Sequence, residues 1–228
     1  MTPFSDNPWF RSLPPSEAEA LLRASNPVRL AQGQSLFSQG DAFDGPVGAY
    51  FGLASGLVKL SIGYPTGKEV ILAVIEPGNW FGAGPVLNRQ VRGHSAIALQ
   101  RCDVLAVSAA EFDALMDRAD FAQAIARQMA ERLRLAYASM GASASLGTRE
   151  RIMRLLAVLA RGGVTLSDNG RNSISASQDS LAAMLGLSRP TLNKELNALA
   201  ALGLVTLRYG RIELNEALDP PNMGPPLR

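Results

Sequence analysis

The sequence predicts an α+β chain with a β-rich front half, one long central helix, and a small helical back half closed by a β-hairpin. Three observations predict it. Between Val28 and Val107, short apolar runs alternate with glycine and proline turns. From Ser108 to Ala144 there is no proline and only one glycine, Gly141, and apolar residues recur at steps of three and four. After Gly147, amphipathic stretches punctuated by Gly162-Gly163 and Gly186 lead to two strands flanking Tyr209-Gly210.

Composition narrows the class. The 228 residues are 47% hydrophobic and 18% charged, which fits one large domain or two ordinary ones and excludes wholesale disorder. No apolar run approaches the ~20 residues that span a bilayer. Met1 to Asp6 lack the basic and apolar regions of a secretory signal, so a cytoplasmic protein with no membrane partner is expected. One cysteine, Cys102, excludes an intrachain disulfide and an all-cysteine metal site. With a single histidine, His94, and neither a G-x-S-x-G elbow nor a phosphate-binding loop, the chain is not read as an enzyme, and no metal or cofactor is expected. Residues 1–146 carry 12 Lys+Arg against 13 Asp+Glu, and residues 147–228 carry 10 against 7. The basic excess is small, but it lies in the back half.

Taken in order, Leu13 to Arg23 read as a lead-in helix. Val28–Leu30, Ser35–Phe37, Ala49–Leu53, Leu57–Ile62, Val70–Ile75, Ser95–Leu99 and Val104–Val107 read as strands of a sandwich or barrel-like roll. Residues 1–108 are assigned to this domain. Residues 109–146 are assigned to linking and dimerisation helices. Within them Phe121, Ile125, Met129, Leu133, Ala136, Met140 and Ala144 share one face of a helix about 39 Å long. The opposite face, with Arg127, Glu131 and Arg134, is polar, which favours a seam between two chains. Residues 147–219 form a third part, and the Pro-rich stretch 220–228 is read as a flexible tail.

The third part carries the chemistry. Ser177 and Gln178 open one helix, with Leu181, Met184 and Leu185 inward and the small Ala182 at the crossing; Gly186 supplies the turn. Ser188 caps a second helix with Pro190 in its first turn, buried through Leu192, Leu196 and Leu199. Its outward residues are Arg189, Pro190, Asn193, Lys194 and Asn197. Arg and Lys match the paired acceptors of guanine and Asn can pair with adenine, so this face fits the major groove of double-stranded DNA. Ser177, Gln178, Ser188 and Thr191 suit phosphate positioning, and Arg208 and Arg211 on the hairpin can reach the backbone.

With both halves read, the chain resembles the family of the cyclic-AMP receptor protein and the fumarate-nitrate regulator (CRP/FNR). The front half matches through Gly33, Gly40-Asp41, Gly56, Gly67, Pro77-Gly78 and Phe81-Gly82, and the back half through Leu181 to Leu196. The resemblance implies a cyclic-nucleotide-binding-type β-roll, a long dimerisation helix and a winged helix-turn-helix. It also implies a homodimer that binds a palindromic operator, works with RNA polymerase and responds to an effector in the roll. The effector pocket would involve Trp80, Phe81, Gly82, Ala83, His94, Ser95 and Tyr137.

The departures from the family pattern bear on that effector. Gly82-Ala83 stands where cyclic-AMP-binding members have Gly-Glu, and His94-Ser95 where they have Arg-Ser, so cyclic AMP is not the expected effector, and the alternatives are another small molecule or control without a ligand. Arg92 lies close by, but out of register for the missing arginine. An oxygen-sensing iron–sulfur cluster needs four cysteines and is excluded. His94 reads as a hydrogen-bonded or half-exposed residue rather than a haem ligand. The alternative function is a cyclic-nucleotide-type regulatory module acting through protein interaction.

Overall fold

The structure, a computed structural model, describes residues 3–67, 69–160, 173–174, 178–208 and 211–215, and their side chains except at 138–145, 158, 160, 173 and 180. The described residues form two compact units, one ending at Ala136 and one beginning at Tyr137.

In the first unit, α1 (Pro8–Arg11) and α2 (Pro15–Arg23) precede eight strands. The sequence reading had no place for α1. It forms because Asn7 caps it, Oδ1 accepting from the Phe10 N–H at 3.1 Å, and because Pro8 opens it. The strands are β1 (Ser25–Leu30), β2 (Ser35–Phe37), β3 (Tyr50–Ser55), β4 (Val58–Gly63), β5 (Glu69–Ile75), β6 (Trp80–Phe81), β7 (Ser95–Ala98) and β8 (Cys102–Val107). All seven predicted strands are present; β6 is additional. They pair antiparallel in two four-stranded sheets, ordered β1-β8-β3-β6 and β2-β7-β4-β5.

One core lies between the sheets, with Leu30, Phe37, Phe51, Val58, Phe81 and Val104. A second covers the other face of the first sheet, with Trp9, Leu21, Tyr50, Trp80, Phe112 and Phe121. Neighbours in a strand point to opposite faces, so Tyr50 and Phe51 part company, as do Trp80 and Phe81. A sheet buried on both faces explains why Tyr50 to Leu53 is uniformly buried rather than alternating.

Three further helices are α3 (Ala83–Asn88), α4 (Ala109–Met116) and α5 (Ala119–Ser145). Ser108 caps α4, accepting from the Glu111 N–H. Phe112, Leu115, Phe121, Ala124 and Ile125 all enter the second core, and the Trp9 indole donates to the Ala124 carbonyl at 2.8 Å. Arg118 grips the buried carboxylate of Glu17 with two 2.6 Å bonds. These contacts group the residues differently from the expected division. Residues 109–136 belong with the roll, and the units part within α5 rather than at Leu146-Gly147. The first turns of the expected seam, Phe121 and Ile125, are likewise taken up by the chain's own core. Leu133 remains exposed, and the side chains of Met140 and Ala144 lie outside those described.

The second unit holds the last turns of α5, then α6 (Thr148–Ala160), β9 (Ser173–Ile174), α7 (Gln178–Leu185), α8 (Arg189–Ala201), β10 (Val205–Arg208) and β11 (Arg211–Leu214). The helix break at Leu146-Gly147 is where the sequence placed it. The three strands form one sheet, ordered β10-β11-β9. Ile152, Leu156, Leu181, Leu192, Leu196 and Leu199 pack a separate core. Ser177, Tyr209-Gly210 and the expected tail at 220–228 lie outside the described residues. Among those described, no helix is long and apolar enough to cross a membrane.

Candidate nucleic-acid interface

The α7–α8 pair is set by its turn. Gly186 has φ +64°, a left-handed conformation that favours glycine, and the Leu187 N–H closes back on the Ala182 carbonyl at 2.9 Å. Leu181 and Ala182 on α7, and Leu192, Leu196 and Leu199 on α8, are all at most 4% exposed. Two ties hold α6 to this pair: Arg149 pairs with Glu195 at 2.8 Å, and Arg151 donates to the Leu185 carbonyl at 2.7 Å.

Ser188 caps α8, its hydroxyl accepting from the Thr191 N–H at 3.2 Å. The Ser188 and Thr191 hydroxyls lie 2.7 Å apart, so both are partly engaged within the protein. With one face fixed by three buried leucines, Ser188, Arg189, Pro190, Thr191, Lys194 and Asn197 fall on the exposed face, and Asn193 is half-buried. Gln178 reaches across to Asn193, Nε2 to Oδ1 at 3.5 Å, so these two expected contact residues support each other. Arg189 lies 3.4 Å from the carboxylate of Asp179, a residue the sequence reading did not single out. Nothing in its local spelling marks it, because the pairing depends on how α7 crosses α8.

The wing forms as read. Antiparallel β10 and β11 place Arg208 directly opposite Arg211 at the hairpin end, both exposed. Like charges facing each other across a hairpin are unfavourable without an anion to share. Glu213 lies 3.7 Å from Arg208 and offsets part of that repulsion.

The expected pocket residues of the roll are placed differently from a shared cavity. Trp80, Phe81 and Ala83 are all at most 1% exposed. Trp80 packs on Phe4, Phe10 and Tyr50, while Phe81 packs on Phe51 in the other core. Gly82 caps α3 at φ +98°, and a Cβ there would stand 2.9 Å from the Ala49 carbonyl oxygen. His94 is half-buried against Phe37, and its pKa is lowered by burial and then by Arg92 and Arg132. Ser95 accepts from the Gln39 N–H at 2.9 Å. Tyr137 is 64% exposed on the part of α5 that belongs to the second unit.

Arg92 is buried, at 1% exposure. Its guanidinium donates to the carbonyls of Phe43, Gly48, Ala49 and Gly82 at 3.0–3.2 Å. It also stacks over Phe37 at 4.4 Å and Phe51 at 5.4 Å. Burial lowers its pKa to about 10, so it remains a cation at neutral pH. It therefore serves as an internal clamp, a different task from the missing phosphate arginine. A cleft of about 330 Å³ beside it is lined by Leu36, Phe37, Asp41, Pro46 and Val47 among others; Trp80, Phe81, Ala83, His94 and Ser95 are not in its wall. Sequence reading also missed Arg132, which donates to the Trp80 carbonyl and whose pKa burial lowers.

The sequence matches two family models: a cyclic nucleotide-binding domain over residues 27–119 and a Crp-like helix-turn-helix domain over residues 150–218. It is 32% identical over 212 residues to the cyclic AMP receptor protein of Thermus thermophilus, covering 92% of this chain and 94% of that protein. It is 29% identical over 213 residues to the CRP-like cAMP-activated global transcriptional regulator of Mycobacterium tuberculosis, covering 91% and 92%. The crystal structure of the Thermus thermophilus catabolite activator protein superposes with a TM-score of 0.53 at 30% identity, covering 92% of this chain and 94% of that one.

Proposed function

This chain belongs to the CRP/FNR family of DNA-binding transcriptional regulators, and on that premise we propose that it is a cytoplasmic homodimer reading a palindromic operator through α8, governed by an effector other than cyclic AMP. Its relatives are transcriptional regulators, not enzymes. The observation that carries the DNA reading is the capped start of α8, where Arg189 and Lys194 stand exposed on a helix fixed by three buried leucines. Recognition helices contact bases through such N-terminal turns. On the part of α5 that belongs to the first unit, Leu133 is exposed and supports an apolar contact with a second copy. A two-fold dimer then spaces its half-sites by about 34–36 Å, one helical turn, and RNA polymerase is the partner that family membership implies.

The effector reading rests on the cassette. Cyclic AMP presents ribose hydroxyls and an anionic phosphate. Ala83 offers no acceptor, His94 is pushed towards its neutral form, and the Nη groups of Arg92 are bonded to carbonyls. A ligand shifts the protein only through its differential affinity for two states, and this cassette offers cyclic AMP little of it.

Selection of bound sequences from random duplex DNA, with and without cyclic AMP, tests both parts. The same palindrome is expected in both arms. Enrichment only with cyclic AMP overturns the effector reading; no enrichment in either arm withdraws the support for α8 as the reading helix and favours a missing effector or a protein-interaction module. Arg208→Ala, by contrast, is expected to weaken all duplexes alike and flatten the slope of log K against log salt by about 1.8, the loss of one phosphate contact from each protomer of the dimer. A change confined to selected sequences would place Arg208 on a base.

A further inference from the structure

We propose that Asp179 is a specificity determinant of the DNA-reading face, acting through Arg189. The proposal rests on α8 as the reading helix. Asp179 lies in the first turn of α7, and its carboxylate is 3.4 Å from Nη1 of Arg189, the first residue of α8. Both side chains are largely exposed, at 67% and 62%. The pair is therefore not a buried strut, and what it does for stability is small. Its position makes it consequential: it is a negative charge on the surface that must approach a polyanion.

A guanidinium has five donors in a planar fork. On a guanine, two of them bond O6 and N7, and another edge remains free for a carboxylate, so Asp179 can keep hold of Arg189 while the base is read. On non-operator DNA the stronger demand on Arg189 comes from phosphates. To meet one, the guanidinium must leave Asp179, and a phosphate then sits close to an unpaired carboxylate. The same carboxylate thus tolerates base reading and opposes phosphate binding. Specificity is a difference of affinities, and a repulsive element against the wrong partner raises it. The acidic residue of α8 itself, Glu195, turns to α6, where it pairs with Arg149 at 2.8 Å, so its charge is already matched.

The test compares parent, Asp179→Asn and Asp179→Glu on the selected operator and on random duplex of equal length, over a range of salt. Asp179→Asn is expected to bind random duplex about two- to fivefold more tightly, the range an exposed ion pair commands, while its affinity for operator stays the same or falls. Its ratio of operator to random affinity therefore drops, and Asp179→Glu restores it. An equal gain on both DNAs would show general charge removal and overturn the proposal. An unchanged ratio would overturn it too. A parent that selects no sequence overturns the reading of α8, and this proposal with it; a parent that selects one while Asp179→Asn keeps the parental ratio overturns this proposal alone.

Discussion

Arg92→Ala is expected to destabilise the first unit by about 3–5 kcal/mol, the range for truncating a large buried side chain and leaving its hydrogen-bond partners unpaired. The guanidinium draws Phe43, Gly48 and Ala49, on the connection leading into β3, towards Gly82 at the head of α3, and it fills the space between Phe37 and Phe51. Alanine removes the donors and leaves buried carbonyl oxygens without them, along with a void between two aromatic rings. Lysine is not a rescue. Its ammonium is compact, cannot span carbonyls on both sides and stacks poorly.

The measurement is straightforward because the only two tryptophans, Trp9 and Trp80, are both buried in the first unit. Their fluorescence during urea unfolding reports this unit alone, and a lower midpoint at unchanged slope gives the loss of stability. A variant as stable as the parent, but altered in its response to an added effector, would make Arg92 a ligand cation and remove the clamp argument.

Arg92 also marks where sequence reading stops. A strand or an amphipathic helix is written in neighbouring residues, so the seven strands, the long helix, the break at Leu146-Gly147 and the capped helix pair were legible. A role fixed by four carbonyls on residues 43–49 and 82 is not, because those atoms belong to every residue type. Two-residue β6 and six-residue α3 are too short to show a period. Tyr50 and Trp80 read as members of one apolar run each, yet alternation along β3 and β6 places them in one core and Phe51 and Phe81 in the other. For the same reason the helix face headed by Phe121 could not be apportioned in advance. Its spacing reveals an apolar stripe, and only the position of the sheet shows that Phe121 and Ile125 meet Trp80's core while Leu133 does not.

Arg189→Ala is the substitution with the largest expected effect on DNA reading. One bidentate Arg–guanine contact is worth about 1–3 kcal/mol of discrimination, so affinity for the selected operator should fall roughly 5- to 150-fold for each half-site, both protomers carrying the substitution. The loss is not uniform, and that separates reading from attraction. At the half-site position Arg189 contacts, the parent should strongly prefer guanine and the variant should accept all four bases about equally; the other positions should keep their preferences. Stability should barely change, because the side chain is 62% exposed and its partner Asp179 is 67% exposed. The salt dependence should change little, since a base contact releases no condensed counterion from phosphate. A variant that binds operator and random duplex more weakly by the same factor would instead make Arg189 a phosphate contact. Base reading would then fall to Lys194 and Asn193, one turn further along α8, where the helix has the same buried leucines beneath it.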